Sequence, residues 1–359
     1  SSARHPELSR VVQEQIDDTT EPLAFAARNA NDGVLLGGGV RLTRFGFLDE
    51  PYVSRQRVQI LASAETGAVL ADYRAHVPNL AGPWGLAVGA SFRSPQSNRN
   101  FFGFGNGVEL ALDPNSTFYR NGATRAELMV GGQRDLPGAS SLTLGPLVQY
   151  TNIDEDSTGF VVTPPAGVDP DALRGQAHAG VRSVLRVDSR DSRVIPKRGF
   201  DIEMGAEVLV GLGGAATTFA GFHGDFQSFL TPSAAPWLTL APRFGGQRVA
   251  GDVPFWAAAT LGAGPLRGFR PDRFAGQSSA HASLEARVRL QRFSGYGEWG
   301  VLGFADTGRV WADSDPSDRW HLGVGGGAWL GVLDRVVLTT QLAASVDDRI
   351  LTFGVGWRH

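Results

Sequence analysis

The sequence predicts an all-β protein, a transmembrane antiparallel β-barrel of about sixteen strands. Three observations predict it. First, the 359-residue chain holds 47 glycines, roughly double the usual share, while charged residues make up 19%. Glycine is poor in helices and common in turns and barrel strands, so this composition disfavours an α-rich fold. Second, strict alternation of apolar and polar residues recurs from Glu21 onward, with turn residues between the runs. Third, long connections tend to follow odd-numbered strands and short ones even-numbered strands, as in a barrel with long extracellular loops and short periplasmic turns. A soluble double sandwich would also alternate, but would not predict that asymmetry. A sheet this wide must also manage its edges, and closure removes them.

Composition narrows the function. The net charge of −3 is unlike that of a nucleic-acid binder. The absence of cysteine excludes disulfide scaffolds and cysteine-based metal or redox sites. No apolar run reaches about 18 residues, so no transmembrane helix is expected, and a barrel needs none. No signal peptide is visible, since Ser1 begins a polar stretch; it was removed, or the chain is part of a longer one. No G-x-S-x-G elbow, H-E-x-x-H pair or cysteine nucleophile occurs. His76, His223 and His281 sit singly in strand patterns. The expectation is therefore a protein that is not an enzyme and takes no cofactor and no metal.

In order along the chain, Leu8, Val11, Val12 and Ile16 fall at helical spacing. Residues 1–20 read as a linker or short amphipathic helix, with insertion into a barrel lumen as the alternative. Residues 21–359 read as barrel. The first strand, Pro22 to Asn29, is short and irregular. Clean alternation follows over Gly33–Phe47, Val53–Glu65, Ala68–Val77 and Trp84–Phe92. Gly103, Gly105 and Gly107 in the next long loop imitate a phosphate loop but lack the helix that motif requires. Strands resume at Tyr119–Arg134 and Ser141–Asn152, and a second long loop carries Pro164, Pro165 and Pro170. Beyond it, Arg182, Arg186 and Asp188 share a face, and Phe200, Ile202, Met204 and Val208 oppose Asp201, Glu203 and Glu207. Thr217–Leu230 and Trp237–Arg248 continue the pattern. Trp237, Trp299, Trp311, Trp320 and Trp357 lie near strand ends and read as interfacial girdle residues.

One stretch organises the remainder. A loop rich in Gly, Pro and Arg contains Leu266-Arg267-Gly268-Phe269 and runs into the cleanest alternating strand, Ala282–Leu290. There Leu284, Val288 and Leu290 oppose Ser283, Glu285, Arg287 and Arg289. The strand Trp299–Trp311 carries Phe304-Ala305-Asp306-Thr307-Gly308. A guanidinium has five donors in a fixed fork and pairs bidentately with carboxylates. Arg267 folding back onto Asp306, and onto Glu285, would pin the loop; the alternative is an exposed Arg beside unrelated lumen charges. Three further strands, Trp320–Leu333, Val336–Ser345 and Leu351–Arg358, complete the count.

At Leu266-Arg267-Gly268-Phe269 the chain resembles the BamA/TamA-type outer-membrane assembly family, also called bacterial surface antigens. The resemblance implies a sixteen-strand barrel whose sixth extracellular loop folds inward. It places Arg267, Gly268 and Phe269 against an inner wall that carries Glu285, Phe304, Asp306 and Gly308. Asp188, Arg190, Asp191, Pro196 and Gly199 resemble the family's periplasmic turn between strands 8 and 9. Asn100 to Asn106, NFFGFGN, resembles a loop frequent among its members. Phe353, Gly354 and Trp357 resemble the C-terminal strand signal, with His359 where an aromatic is usual.

The resemblance implies assembly or translocation at the outer membrane of a Gram-negative-type bacterium. Its partners would be outer-membrane lipid and outer-membrane protein substrates, with no nucleic acid. Family members that insert proteins carry periplasmic POTRA repeats, whereas only about 20 residues precede the first strand here; such domains lie upstream of Ser1 or are lacking. Two alternatives stand beside this reading: an anchor or exporter barrel for an upstream passenger domain, or a passive pore.

Overall fold

The computed structural model describes residues 18–356, apart from 30, 47–51, 155–158, 163–167, 215–216, 294–295 and 334. The expected N-terminal helix, Pro164, Pro165, Trp357 and His359 lie outside the described residues.

The strands follow one another as antiparallel neighbours. β1 (Thr19–Asn29), β2 (Gly33–Arg44), β3 (Ser54–Ser63), β4 (Val69–Ala81) and β5 (Trp84–Arg93) pair in chain order. The three-residue β6 (Asn98–Asn100) lies in the loop before β7 (Arg120–Leu136), which pairs with β5. β8 (Ser140–Ile153), β9 (Gln176–Asp188), β10 (Gly199–Leu212), β11 (Thr218–Phe229) and β12 (Leu238–Gly251) continue the wall. The short β13 (Ala259–Leu261) and β14 (Phe274–Gly276) form a separate hairpin. β15 (Ser278–Phe293), β16 (Gly297–Trp311), β17 (His321–Val332), β18 (Val336–Ala344) and β19 (Arg349–Val355) finish it. Without β6, β13 and β14, sixteen long strands form the barrel wall among the described residues. β19 lies beside β1. Among the described residues no hydrogen-bonded ladder joins these two strands.

Period-two patterning sorts the two faces. On β15, Leu284 and Leu290 are exposed on the outer surface, while Ser279, His281, Glu285 and Arg287 are buried inside. Leu36, Ile60, Val148, Val208, Phe244 and Leu322 extend the exposed apolar band around the wall. Trp237, Trp311 and Trp320 are exposed near strand ends, and Trp311 meets Trp320 edge-on. Such a band with aromatic margins fits a hydrocarbon slab with two interfaces.

Two departures from the sequence reading have local causes. β1 is longer and more regular than its composition suggests, pairing from Thr19↔Thr43 to Asn29↔Gly33. Its ladder needs backbone groups and not apolar alternation, and Glu21 adds an ion pair to Arg41 at 2.7 Å. β15 begins at Ser278, ahead of the apolar alternation, because Ser278–Ala282 pair with β12 on one side and β16 on the other.

The connections 94–119, 154–175 and 252–277 are the longest and all leave the same end of the wall. At that end Phe101, Val161, Leu173, Phe255, Trp256 and Ala275, drawn from all three loops, share an apolar cluster with Leu147, Leu209 and Phe219 of the wall. The loops therefore bury a common core instead of standing free in water. Leu284 lies in the central part of β15, so substituting it by Arg is expected to cost about 2–4 kcal/mol of folding free energy in lipid. Unfolding titrations of the reconstituted barrel would measure it.

Candidate functional site

The loop between β12 and β15 reaches the lumen in stages. Pro254 precedes a short 3-10 turn, Phe255–Ala257, whose Trp256 packs edge-on against His178 and Phe219. The β13–β14 hairpin then fixes the two arms, and the tip between them descends along the wall. Leu261, Leu266, Phe269, Phe274 and Val310 form a buried cluster that anchors this tip. Burying these side chains supplies on the order of 1.5–3 kcal/mol each and carries the polar Arg267 in with them.

Arg267 spends its donors on three strands, β15, β16 and β18. Its Nε and Nη2 donate to the two oxygens of Asp306 at 2.7 and 2.8 Å, and its backbone N–H donates to Asp306 Oδ2 at 3.0 Å. Nη1 donates to Glu285 Oε2 at 2.6 Å and to Gln341 Oε1 at 3.3 Å. Nη2 also reaches Ser283 Oγ at 3.2 Å, and that hydroxyl donates to Asp306 Oδ1 at 2.6 Å. The guanidinium carbon sits 3.4 Å from the centroid of the Phe304 ring, a cation–π contact. Arg287 Nε donates to the second Glu285 oxygen at 2.7 Å. The Asp306 side chain is 0% exposed and that of Glu285 4%, so both charges rely on these partners rather than on water. Fully hydrogen-bonded, bidentate geometry is the condition under which such a buried set is tolerated.

The neighbouring residues make the approach possible. Gly268 has φ +91, and a Cβ there would lie 3.0 Å from the Ala344 backbone. Its carbonyl accepts from Ser345 Oγ at 2.7 Å. Opposite the tip, a Cβ on Gly323 would fall 1.9 Å from the Arg267 carbonyl oxygen, so only glycine admits the loop at that height. Phe269 is buried against Phe274 and His321. Gly308 pairs with His321 across the ladder and lies beneath Leu261. Sequence reasoning missed two further pairs, Arg270 with Asp348 at 2.8 Å and Arg273 with Asp347 at 2.6 Å. Arginines spaced by three in the loop and the adjacent acids in Val346-Asp347-Asp348 were the available signal.

The NFFGFGN segment interlocks with the same loop. Asn100 Nδ2 donates to Pro271 O at 2.9 Å, and Arg99 pairs with Asp272 at 3.0 Å. Phe101 and Phe102 are buried, and the Gly105 N–H donates to Ala275 O at 2.8 Å. Asp315, in the loop between β16 and β17, accepts from the backbone N–H of Asn106 at 2.5 Å, Gly107 at 2.7 Å and Ser317 at 2.9 Å. Burial pushes the Asp315 carboxyl up, but the N–H groups of Gly107, Ser317 and Asn106 together hold it below the usual carboxylate range.

At the opposite end, the turn 189–198 folds back under the wall. Asp188 receives Arg190 at 2.8 Å and Arg193 at 3.0 Å. Asp191 Oδ1 accepts from the backbone N–H of Lys197 at 2.9 Å and Arg198 at 3.1 Å, and Gly199 opens β10 at φ +95. Pro196 is preceded by Ile195, which is buried in one cluster with Leu302, Phe304, Trp329 and Val337. Lys197 Nζ meets Glu298 Oε1 at 2.8 Å. Neither Ile195 nor the Lys197 pair was singled out from sequence, because a turn reads as exposed until its lumen side is known. Phe353 is exposed on the outer face of β19, and Gly354 pairs with Thr339.

Comparison with known proteins adds the following. The family described as the Omp85 superfamily domain matches residues 83–334. No curated protein sequence matches the chain. Among solved structures, BamA from Haemophilus ducreyi lacking POTRA domains 1–3 is similar with a TM-score of 0.69 at 12% identity, over 94% of this chain and 69% of that one. CdiB from Acinetobacter baumannii is similar with a TM-score of 0.57 at 10% identity, over 94% of this chain and 59% of that one. CdiB from Escherichia coli gives 0.55 at 12% identity, over 94% and 61%.

Arg267→Ala is expected to lower stability by about 3–5 kcal/mol, because it strands buried Asp306 and half of the Glu285 contacts. Denaturant unfolding in detergent would read the loss, and Arg267→Lys should recover only part of it, since an ammonium has no fork. The Asp315 carboxyl gives a pH signature. Its depressed pKa means its contribution is complete above the unfolded value of about 3.9 and is lost as pH falls through the folded value. The thermal midpoint of the native chain should exceed that of Asp315→Asn at neutral pH, and the gap should close on acidification below about pH 4.

Proposed function

Since the chain belongs to the Omp85 superfamily of outer-membrane β-barrels, we propose that it assembles or translocates protein substrates at the outer membrane. One observation carries the reading: β19 lies beside β1, yet no ladder joins them among the described residues. Every other neighbouring pair in the wall is laddered. An edge with free N–H and C=O groups is a template for strand addition. A substrate strand can therefore pair with β1 or β19 without first breaking a ladder.

The Arg267 cluster has a complementary role in this reading. It holds the loop tip on β15–β18, next to the seam, and keeps that side of the wall in one shape. Opening is then confined to the β1–β19 side. Protein substrates and outer-membrane lipid are the partners.

The absence of native cysteine allows a clean test. Cysteine pairs would be screened along Glu21–Ala26 and Arg349–Val355 for one that crosslinks. The barrel in liposomes should accelerate insertion of a urea-unfolded outer-membrane barrel, read as heat-resistant folded product. The crosslinked seam should abolish the acceleration, and reduction should restore it. An insertion rate equal to that of empty liposomes, or unaffected by the crosslink, would overturn the proposal.

A further inference from the structure

The N-terminal half of the lumen carries charges that neither the loop tip nor the seam uses. The ladders set Arg41 directly opposite Arg57, and Arg57 directly opposite Arg74. Three guanidiniums thus form one row across β2, β3 and β4. Like charges placed directly opposite on neighbouring strands are destabilising. The row lines a cavity of about 590 Å³, whose walls also carry Arg55, Arg182 and Arg186 but, among the described residues, only one carboxylate, Glu127.

Some of this charge is answered locally. Arg41 pairs with Glu21 at 2.7 Å, Arg186 with Glu203 at 2.7 Å, and Arg182 with both Glu127 and Glu207. Arg55, Arg57 and Arg74 have no carboxylate within ion-pair distance among the described residues. Arg55 lies over the Tyr52 ring at 4.2 Å. Arg57 Nη2 donates to Gln59 Oε1 at 2.6 Å, and its buried Nε has no acceptor among the described residues. Asp72, the acid on the neighbouring strand, accepts from the Gln59 amide instead, at 3.3 Å. Across the ladder from Arg74 stands Gly89, and no atom lies within 4 Å of where its Cβ would be. The row therefore faces open space at its Arg74 end, while the Arg57 guanidinium carbon lies 5.2 Å from the centroid of the Phe25 ring.

We propose that this cavity is a binding site for a phosphate-class oxyanion. The three arginines start from adjacent strands spaced about 4.8 Å apart, so their forks approach a shared ligand from different backbone positions. One planar carboxylate can occupy a single fork, whereas a tetrahedral oxyanion offers three or more acceptor oxygens to several. Binding would relieve the repulsion along the row and supply the acceptor that Arg57 Nε lacks. The phosphate can belong to a soluble ester or to a phospholipid headgroup.

The test follows thermal unfolding of the full chain in detergent while inorganic phosphate replaces chloride at constant ionic strength. The midpoint of the native protein should rise and saturate. Arg74→Gln should lose that rise without a lower midpoint in chloride, because it removes a repulsive neighbour and breaks no ion pair. Arg57→Gln should also lose the rise and guards against a defect peculiar to one variant. It gives up the Gln59 hydrogen bond, so its rise is read as the difference between its own midpoints in phosphate and in chloride. A parallel series in phosphatidylcholine vesicles with and without phosphatidic acid separates the sources. A gain from free phosphate assigns a soluble ligand, and a gain only from phosphatidic acid assigns a lipid headgroup. No gain from either, or equal gains in native and variant proteins, would overturn the site.

Discussion

The buried guanidinium of Arg267 imposes the strictest condition on this structure. A charge inside a packed lumen must meet all its hydrogen-bonding needs there, and so must the carboxylates that neutralise it. Asp306, Glu285, Ser283, Gln341 and the face of Phe304 meet that requirement together. Because they sit on β15, β16 and β18, the condition extends to the register of those strands. A slip by one residue would turn Asp306 and Glu285 to the lipid and leave Arg267 unpaired.

The wall is shaped to receive insertions from both ends. On β17, Gly323 admits the Arg267 carbonyl from one end, and a Cβ on Gly331 would meet Ile195 Cδ1 from the other, at 2.4 Å. Between them Phe304 contributes to both arrangements, carrying the guanidinium and sharing the apolar cluster of Ile195. The loop between β12 and β15 and the opposite turn thus press on the same few side chains of β16–β18. This side of the barrel is filled with protein, in keeping with dense interior packing.

The two halves of the lumen differ accordingly. The C-terminal half neutralises its charges in closed clusters, as Arg267, Arg270 and Arg273 each meet an acid. The N-terminal half leaves Arg55, Arg57 and Arg74 around an open cavity. The seam of β1 and β19 lies where these halves meet. Ion-paired clusters are concentrated on one flank, and among the described residues arginines without a carboxylate partner on the other.

The sequence by itself determined the barrel class, the strand count and the faces of most strands, because period-two alternation is a local property that each segment states independently. It also singled out Arg267 with Asp306 and Glu285, as a loop guanidinium followed by strands that carry acids, and a resemblance at one short motif added the glycine between Arg267 and Phe269. Tertiary structure alone decided which acid meets which donor. The pairs Arg270–Asp348, Arg273–Asp347, Lys197–Glu298 and Asn106–Asp315 join segments far apart in the chain, and no local pattern encodes such distances. The luminal row was equally hidden. Arg41, Arg57 and Arg74 are unremarkable polar positions in three separate strands until the register sets them side by side.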